Sequence, residues 1–210
     1  MANICERIVT SCISVSCDNP IFQGAESTSY LFNKSQIASY TTDLNNPNIV
    51  TAITMKTYEE SDGQGGTDDV AYAGVKITQL GKTPFQGTNT ELVEGNVSNK
   101  FTETVQFVVG DNSPAASLIL DAIANGKFVL VVPNEYEGSD SKGRFQIYGL
   151  KRGLTCSAMS RNVYDDDTDS AWSVTLTCEG TPTSALFVYH ETTPGTDDTR
   201  EYLESLVSCE

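Results

Sequence analysis

The chain has 210 residues, of which 39% are hydrophobic and 20% are charged, a balance typical of a globular domain. It carries 13 Lys and Arg against 28 Asp and Glu, a formal net charge of −15, and it has no basic run. Tight binding of nucleic acid depends on cationic patches that displace counterions, so it is not expected here. No apolar run approaches the roughly 18 residues of a membrane-spanning helix, and no membrane partner is expected.

Residues 1–25 are predicted to form an N-terminal arm, and residues 26–210 a single β-rich domain. The arm mixes small polar residues with the turn signals Asn19-Pro20 and Gly24. Its start, MANICERIVTSCISVSC, has one Arg and one Glu before a short apolar stretch broken by Thr and Ser, whereas a signal peptide has a basic start and an unbroken apolar segment. An arm of this composition cannot fold alone, so we expect it to become ordered against another subunit.

The six cysteines contain no Cys-x-x-Cys pair, which argues against a zinc site. A chain of this length does not need disulfide bonds for stability, so mostly free, buried thiols are favoured over a disulfide framework.

Strands are predicted first at STSYLFN (27–33), NIVTAITMKTY (48–58) and VAYAGVKITQL (70–80), which are rich in β-branched and aromatic residues. EESDGQGGTDD (59–69) has three Gly and no apolar residue, and is predicted to be a flexible acidic loop. KFVLVVPNEY (127–136) contains an uninterrupted apolar run, which predicts a strand covered on both faces.

Two further strands alternate strictly. Residues 100–110 predict a strand with Phe101, Val105, Phe107 and Val109 on one face and polar side chains on the other. Residues 172–178 place Trp172, Val174, Leu176 and Cys178 on one face in the same way. The second strand is led into by an acidic stretch, VYDDDTDS, which predicts the tip of a hairpin.

Two helices are predicted, at about 113–125 and about 196–207. In the first, Ser113 is an N-cap and Pro114 suits the first helical position. Between its ends one apolar stripe has the spacing i, i+3, i+4, i+7 and consists of Ala115, Leu118, Ile119 and Ala122. In the second, Asp198 and Glu201 have the spacing of a capping box. The sum is a mainly β protein with some α (α+β), a β-sandwich or barrel with one internal and one C-terminal helix.

Part of the acidic stretch has the spacing of a calcium-binding loop. Asp165, Asp167 and Asp169 occupy positions 1, 3 and 5 of an EF-hand loop, but Ser170 replaces the Gly at position 6 and Leu176 the Glu at position 12. Half of the motif is missing, so these aspartates are minor candidates for a metal site, and the solvated hairpin tip is favoured.

No catalytic constellation is found. His190 is the single histidine, and its place at the end of a predicted strand favours a surface residue over a member of a catalytic triad. A pair of carboxylates as in a glycosidase is possible among 28 acids, but Trp172 is the single Trp and falls on an apolar face, not on a sugar platform. The sequence therefore predicts no enzyme and no cofactor.

Several stretches resemble the tail tube proteins of tailed bacteriophages and prophages, in particular those of phages infecting gut Bacteroidota. They are SCDNPIFQGAESTSYLFNKSQIASYTTDLNNPNIVTAITM (16–55), KFTETVQFVVGDNSPAASLILDAIANGKFVLVVPNEYEGSDSKGRFQIYGLKRGLTCSAM (100–159), and SAWSVTLTCEG with the strand and helix that follow it. The resemblance covers roughly three quarters of the chain, and residues 57–95 match least.

The resemblance implies a subunit of a hexameric ring of the virion, made in the cytoplasm of the bacterial host. Its fold would be a β-sandwich or half-barrel whose sheets, from six subunits, line a channel for genome ejection. The implied partners are the chain itself within and between rings, the tape measure protein, and tail terminator or adaptor proteins. Genomic DNA would pass without tight binding.

The charge of the chain agrees with this interpretation, because carboxylates facing phosphates let a duplex slide where a basic lining would hold it. Glu103, Glu135 and Glu137 are the acidic candidates for the channel wall, chosen by strand position. Plain solubility explains the charge equally well.

Three alternatives stay open. The first is an adaptor or barrel ring of a short phage tail. The second is a secreted β-sandwich that binds a ligand or calcium, and the third is an enzyme that uses acidic residues.

Overall fold

The computed structural model of the protein describes residues 25–61, 67–78, 85–96, 98–134, 141–166 and 170–207. These ranges contain thirteen strands, and we number them β1 to β13 in chain order. They are Thr28–Asn33, Ile37–Thr42, Ile49–Met55, Thr57–Ser61, Thr67–Ala71, Val75–Thr78, Phe85–Val93, Lys100–Val109, Phe128–Pro133, Phe145–Tyr148, Thr155–Arg161, Trp172–Thr181 and Leu186–Val188. Two α-helices accompany them, α1 at Pro114–Asn125 and α2 at Thr199–Ser205.

The strands form two large sheets and one small one. A seven-stranded sheet has the order β2-β3-β13-β10-β9-β1-β6, and its pairs are antiparallel except for β13 with β3. A four-stranded antiparallel sheet has the order β11-β12-β8-β7. β4 and β5 form a separate two-stranded sheet.

The two large sheets pack face to face. Leu31, Leu130 and Val132 of the seven-stranded sheet share one apolar cluster with Phe107 and Leu176 of the four-stranded sheet. α1 closes the side of this cluster with Leu120 and Ile123. The domain is therefore a mainly β, α+β sandwich, as the sequence predicted in its coarser form.

The other face of the seven-stranded sheet is covered as well. α2 packs on it through Leu203, which is fully buried, and through Tyr202, whose hydroxyl donates to the carbonyl of Ile53 at 2.7 Å. β9 is consequently buried along its whole length, which confirms the predicted two-sided cover. Neither α1 nor α2, the α-helices of the described ranges, is long and apolar enough to cross a bilayer.

Two predictions about elements are wrong. The stretch 59–69, predicted as a loop, contributes to the β4–β5 hairpin, because β pairing between exposed strands needs no apolar residue. The predicted capping box of α2 is not formed, since the carboxylate of Asp198 instead accepts hydrogen bonds from the backbone and the hydroxyl of Thr192. The predicted arm lies outside the described residues, apart from Ala25.

Candidate functional site: the four-stranded sheet and its edges

The four-stranded sheet has one buried face and one polar face. Val105, Phe107, Val174 and Leu176 are fully buried, which confirms the alternation predicted for residues 100–110 and 172–178. The side chains between them point to the opposite side and are half-buried. We call this group the polar face, and it consists of Thr104, Gln106, Ser173, Thr175 and Thr177.

The polar face is neutral and internally hydrogen-bonded. The amide of Gln106 donates to Ser173 Oγ at 3.2 Å, and the hydroxyls of Ser157 and Thr177 lie 2.9 Å apart. In register, one row across the sheet reads Thr155, Thr177, Thr104, Asn89, and the next Ala158, Thr175, Gln106, Gly87. These rows hold no charged side chain, so they neither attract nor strongly repel phosphates.

Both edges of the sheet are open in the described part of the chain. β7 pairs with β8 alone, and β11 with β12 alone. Neither edge strand contains Pro or Lys, the residues that most often block pairing at an edge. Each therefore presents unpaired backbone groups to another chain.

α1 has a second apolar face that nothing in the described structure covers. The helix buries Ala116, Leu120 and Ile123, and not the apolar stripe of Ala115, Leu118, Ile119 and Ala122 that the spacing indicates. Leu118 of that stripe is 72% exposed and Ile119 is 47% exposed. The helix is apolar over more than half its circumference, and the periodicity alone could not tell which apolar face meets the core.

The exposed apolar residues lie next to the open edges. α1 packs beside β11, and Arg161 at the end of β11 donates to Asn112 just before the helix at 2.8 Å. Val163 and Tyr164, directly after β11, are 60% and 92% exposed. At the opposite edge, β7 ends in exposed Leu92 and Val93. Apolar surface therefore flanks both edges of the sheet.

Glu103 does not face a channel, which corrects its prediction as a lining residue. It is 2% exposed, and its Oε2 accepts the backbone N–H of Gly149 at 2.7 Å. Burial raises the pKa of its carboxyl, against the lowering effects of the Gly149 hydrogen bond and the Lys151 charge. The signal was in the sequence, because residue 103 has the same parity as Val105 and Phe107.

Of the other acidic candidates, Asp165 lies among the described residues. Glu135, Glu137, Asp167 and Asp169 lie outside the described residues. Asp165 lies in the connection between β11 and β12, where its backbone carbonyl accepts the N–H of Ser170 at 3.0 Å. This places the described part of the acidic stretch in a hairpin connection, as predicted. Among the described residues, no three His, Cys, Asp or Glu side chains lie close enough to hold a metal ion.

His190 is half-buried, which corrects its prediction as a surface residue. Its ring stacks on that of Tyr202, with the ring centroids 4.0 Å apart, and its Nδ1 lies 2.8 Å from the carbonyl of Thr51. Since a carbonyl can only accept, Nδ1 carries the proton. The histidine thus joins α2 to the sheet.

Cys156 and Cys178 are free thiols on neighbouring strands, and burial raises the pKa of both. In register Cys156 is opposite Leu176, so the two cysteines are not cross-strand partners. This agrees with the prediction of free thiols for these two.

The four-stranded sheet thus has two edges without a strand partner in the described part of the chain, exposed apolar side chains beside each edge, and a neutral polar face between them. No protein-family model, curated protein or solved structure matches the chain.

Proposed function

We propose that this protein is a structural subunit that joins side by side with copies of itself into a ring around a channel, as tail tube proteins of tailed bacteriophages do. The observation that carries the proposal is the four-stranded sheet, with two open edges on opposite sides and a polar face between them.

Pairing of the β7 edge of one copy with the β11 edge of the next supports closure into a ring. Such a contact is heterologous, because it joins two different surfaces, and a chain of heterologous contacts closes when the rotation per subunit allows it. Closure removes every free edge of this sheet, which is how barrels avoid uncontrolled pairing. Six copies, the number that the resemblance implies, would merge six such sheets.

The exposed apolar residues supply the driving force for the lateral contact. Leu118 and Ile119 beside β11, and Leu92 and Val93 on β7, would leave water together when the edges meet. Burial of apolar surface stabilises association by roughly 25 cal/mol per Å². Grouped exposed apolar side chains are uncommon on monomeric proteins and often mark an interaction surface.

The polar face would line the channel. Its own side chains are hydroxyl and amide groups without Lys or Arg, so they offer phosphates no cation. Lys127 and Arg152 lie beside it at the end where they line a cleft with Thr177. The chain as a whole is acidic, at −15, which discourages adhesion elsewhere. Passage of genomic DNA, contact with a tape measure protein, and assembly with terminator or adaptor proteins of the virion follow from this role. An adaptor ring of a short tail would use the same geometry.

Hydrogen exchange before and after assembly tests the proposal at the level of single strands. In monomers, the outward amides of β7 and β11 should exchange fast, while those of β8 and β12 are already protected. In assembled protein, β7 and β11 should gain protection and β8 and β12 should not change. Assemblies in which both edge strands still exchange fast would refute lateral edge pairing.

A further inference from the structure

Five cations form a cluster at one end of the four-stranded sheet, in a chain that has only 13. The turn at Gly153 brings two of them together, because a methyl group at Gly153 would lie 3.1 Å from a carbon of Lys127 and 3.5 Å from one of Lys34. At Gly180 the corresponding distances are 2.9 Å to Arg152 and 3.6 Å to Lys100. To these four we add Lys151, which precedes Arg152 in the chain and whose charge acts on the carboxyl of Glu103. We call the group the basic patch, and it consists of Lys34, Lys100, Lys127, Lys151 and Arg152.

None of the five patch cations forms an ion pair with another described residue. Three ion pairs connect described residues, and they use Lys76, Arg144 and Arg200, none of which belongs to the patch. Lys127 and Arg152 line a cleft of about 270 Å³ together with one acid, Glu179, and with the hydroxyl-bearing Thr155, Ser157 and Thr177. The patch therefore borders a cleft that has more cations than acids and room for side chains of another molecule.

The β4–β5 hairpin is the complementary surface. Its register places Glu59 opposite Asp69 and Glu60 opposite Asp68, and all four side chains are exposed without a cation in ion-pair contact among the described residues. Like charges directly opposite each other destabilise a β pair, and a lone two-stranded hairpin is marginal in water. By these criteria the hairpin is only marginally stable in the free subunit.

We propose that the β4–β5 hairpin of one copy docks on the basic patch of a neighbouring copy. The hairpin forms a sheet of its own, and β4 extends about 16 Å over its five residues, long enough to reach a neighbour. The contact pairs four carboxylates with five cations, and each set neutralises the other.

A second copy is favoured over a nucleic acid as the occupant by the charge of the chain. Outside the patch, eight cations face 28 acids, so a long polyanion that reaches the patch must also approach a strongly acidic surface. A hairpin presents its four carboxylates locally and avoids that repulsion. The inference rests on the proposed self-assembly, and adds that docking would remove unpaired cations from the end of the polar face.

Charge reversal in two separate variants tests the contact. The patch variant carries Lys100→Glu, Lys127→Glu and Arg152→Glu, and the hairpin variant carries Glu59→Lys, Glu60→Lys, Asp68→Lys and Asp69→Lys. All seven positions are exposed, so thermal melts should match the wild type. Each variant alone faces like charge with like, and its assembly, followed by sedimentation at low salt, should weaken by at least about tenfold.

Mixing the two variants is the decisive step. In the mixture the reversed hairpin meets the reversed patch, and the native hairpin meets the native patch, so assembly should return. A control with Lys56→Glu and Lys142→Glu, outside the patch, should assemble as the wild type does. High salt should weaken wild-type assembly, since these charges are exposed.

Three results would overturn the inference. If either variant assembles like the wild type, the two surfaces do not meet, although the lateral ring contact can still stand. If the mixture fails to restore assembly, the hairpin does not dock on a neighbour. If the patch variant keeps its assembly but loses binding to duplex DNA, the occupant is a polyanion. A wild-type chain that never assembles refutes both this inference and the proposed function.

Discussion

Leu118 separates the stability of the subunit from that of the assembly. It is 72% exposed on the free face of α1, so Leu118→Ala should change the free energy of unfolding of the subunit by no more than about 0.5 kcal/mol. Burial of a whole Leu side chain is worth about 2 kcal/mol, so burying the exposed part of Leu118 in a contact is worth about 1.5 kcal/mol. Loss of that amount raises the dissociation constant of each contact about tenfold. Sedimentation over a concentration series measures this shift, and a urea melt of dilute monomer measures the unfolding.

Two matched variants on the same helix make the result specific. Leu120 lies on the opposite side of the helix from Leu118 and is 5% exposed. Leu120→Ala should therefore cost about 2–5 kcal/mol of subunit stability. Ser117→Lys lies on the third, polar face and should alter neither quantity. If Leu118→Ala assembles like the wild type, or if it destabilises the monomer as Leu120→Ala does, the free face of α1 is not an assembly surface.

Three further predictions concern the subunit. The raised pKa of Glu103 means that the wild type loses stability as pH rises from 4.5, the ordinary value, through the folded value. Glu103→Gln keeps an acceptor for Gly149, so its stability relative to wild type should increase over that window in urea melts at stepped pH, and a constant difference would contradict this. Burial alone would raise the pKa of Glu26, but hydrogen bonds and charges from Arg144 and Arg200 lower it overall. The stabilisation that Glu26 contributes is therefore present above pH 4.5 and is lost as the pH falls through the folded pKa. Glu26→Gln should cost about 1 kcal/mol at pH 7, a modest value because solvent screens the partly exposed guanidinium groups. In strong acid the same substitution should cost nothing. Gly149→Ala should cost about 2 kcal/mol or more in a thermal melt, because Gly149 has a φ of +75° and a methyl group there would lie 2.8 Å from backbone atoms; an unchanged melting temperature would refute this.

The strands of the four-stranded sheet were predictable where one face is buried. Alternation at residues 100–110 and 172–178 follows directly from the period of two along a strand, and it identified the buried sets correctly. The same rule places Glu103 in the core, although Glu103 was predicted to lie on the channel wall. Its burial depends on the backbone N–H of Gly149, a contact between residues 46 positions apart that no local pattern reveals.

Helix α1 and the β4–β5 hairpin show which features local sequence signals can and cannot predict. The start of α1 was predicted from Ser113 and Pro114, because an N-cap acts locally. The buried face of α1 was not, since two apolar stripes compete and only packing against β11 decides between them. The β4–β5 hairpin was missed because its strands bury no apolar face, and the pairing of acids across it runs against the usual preference.

Electron microscopy of the purified protein tests the central claim most directly. The account predicts closed rings, single or stacked, with an open channel whose wall is formed by the polar face of Thr104, Gln106, Ser173, Thr175 and Thr177. A particle that remains monomeric at high protein concentration, or a ring in which this face lies on the outside, would contradict it.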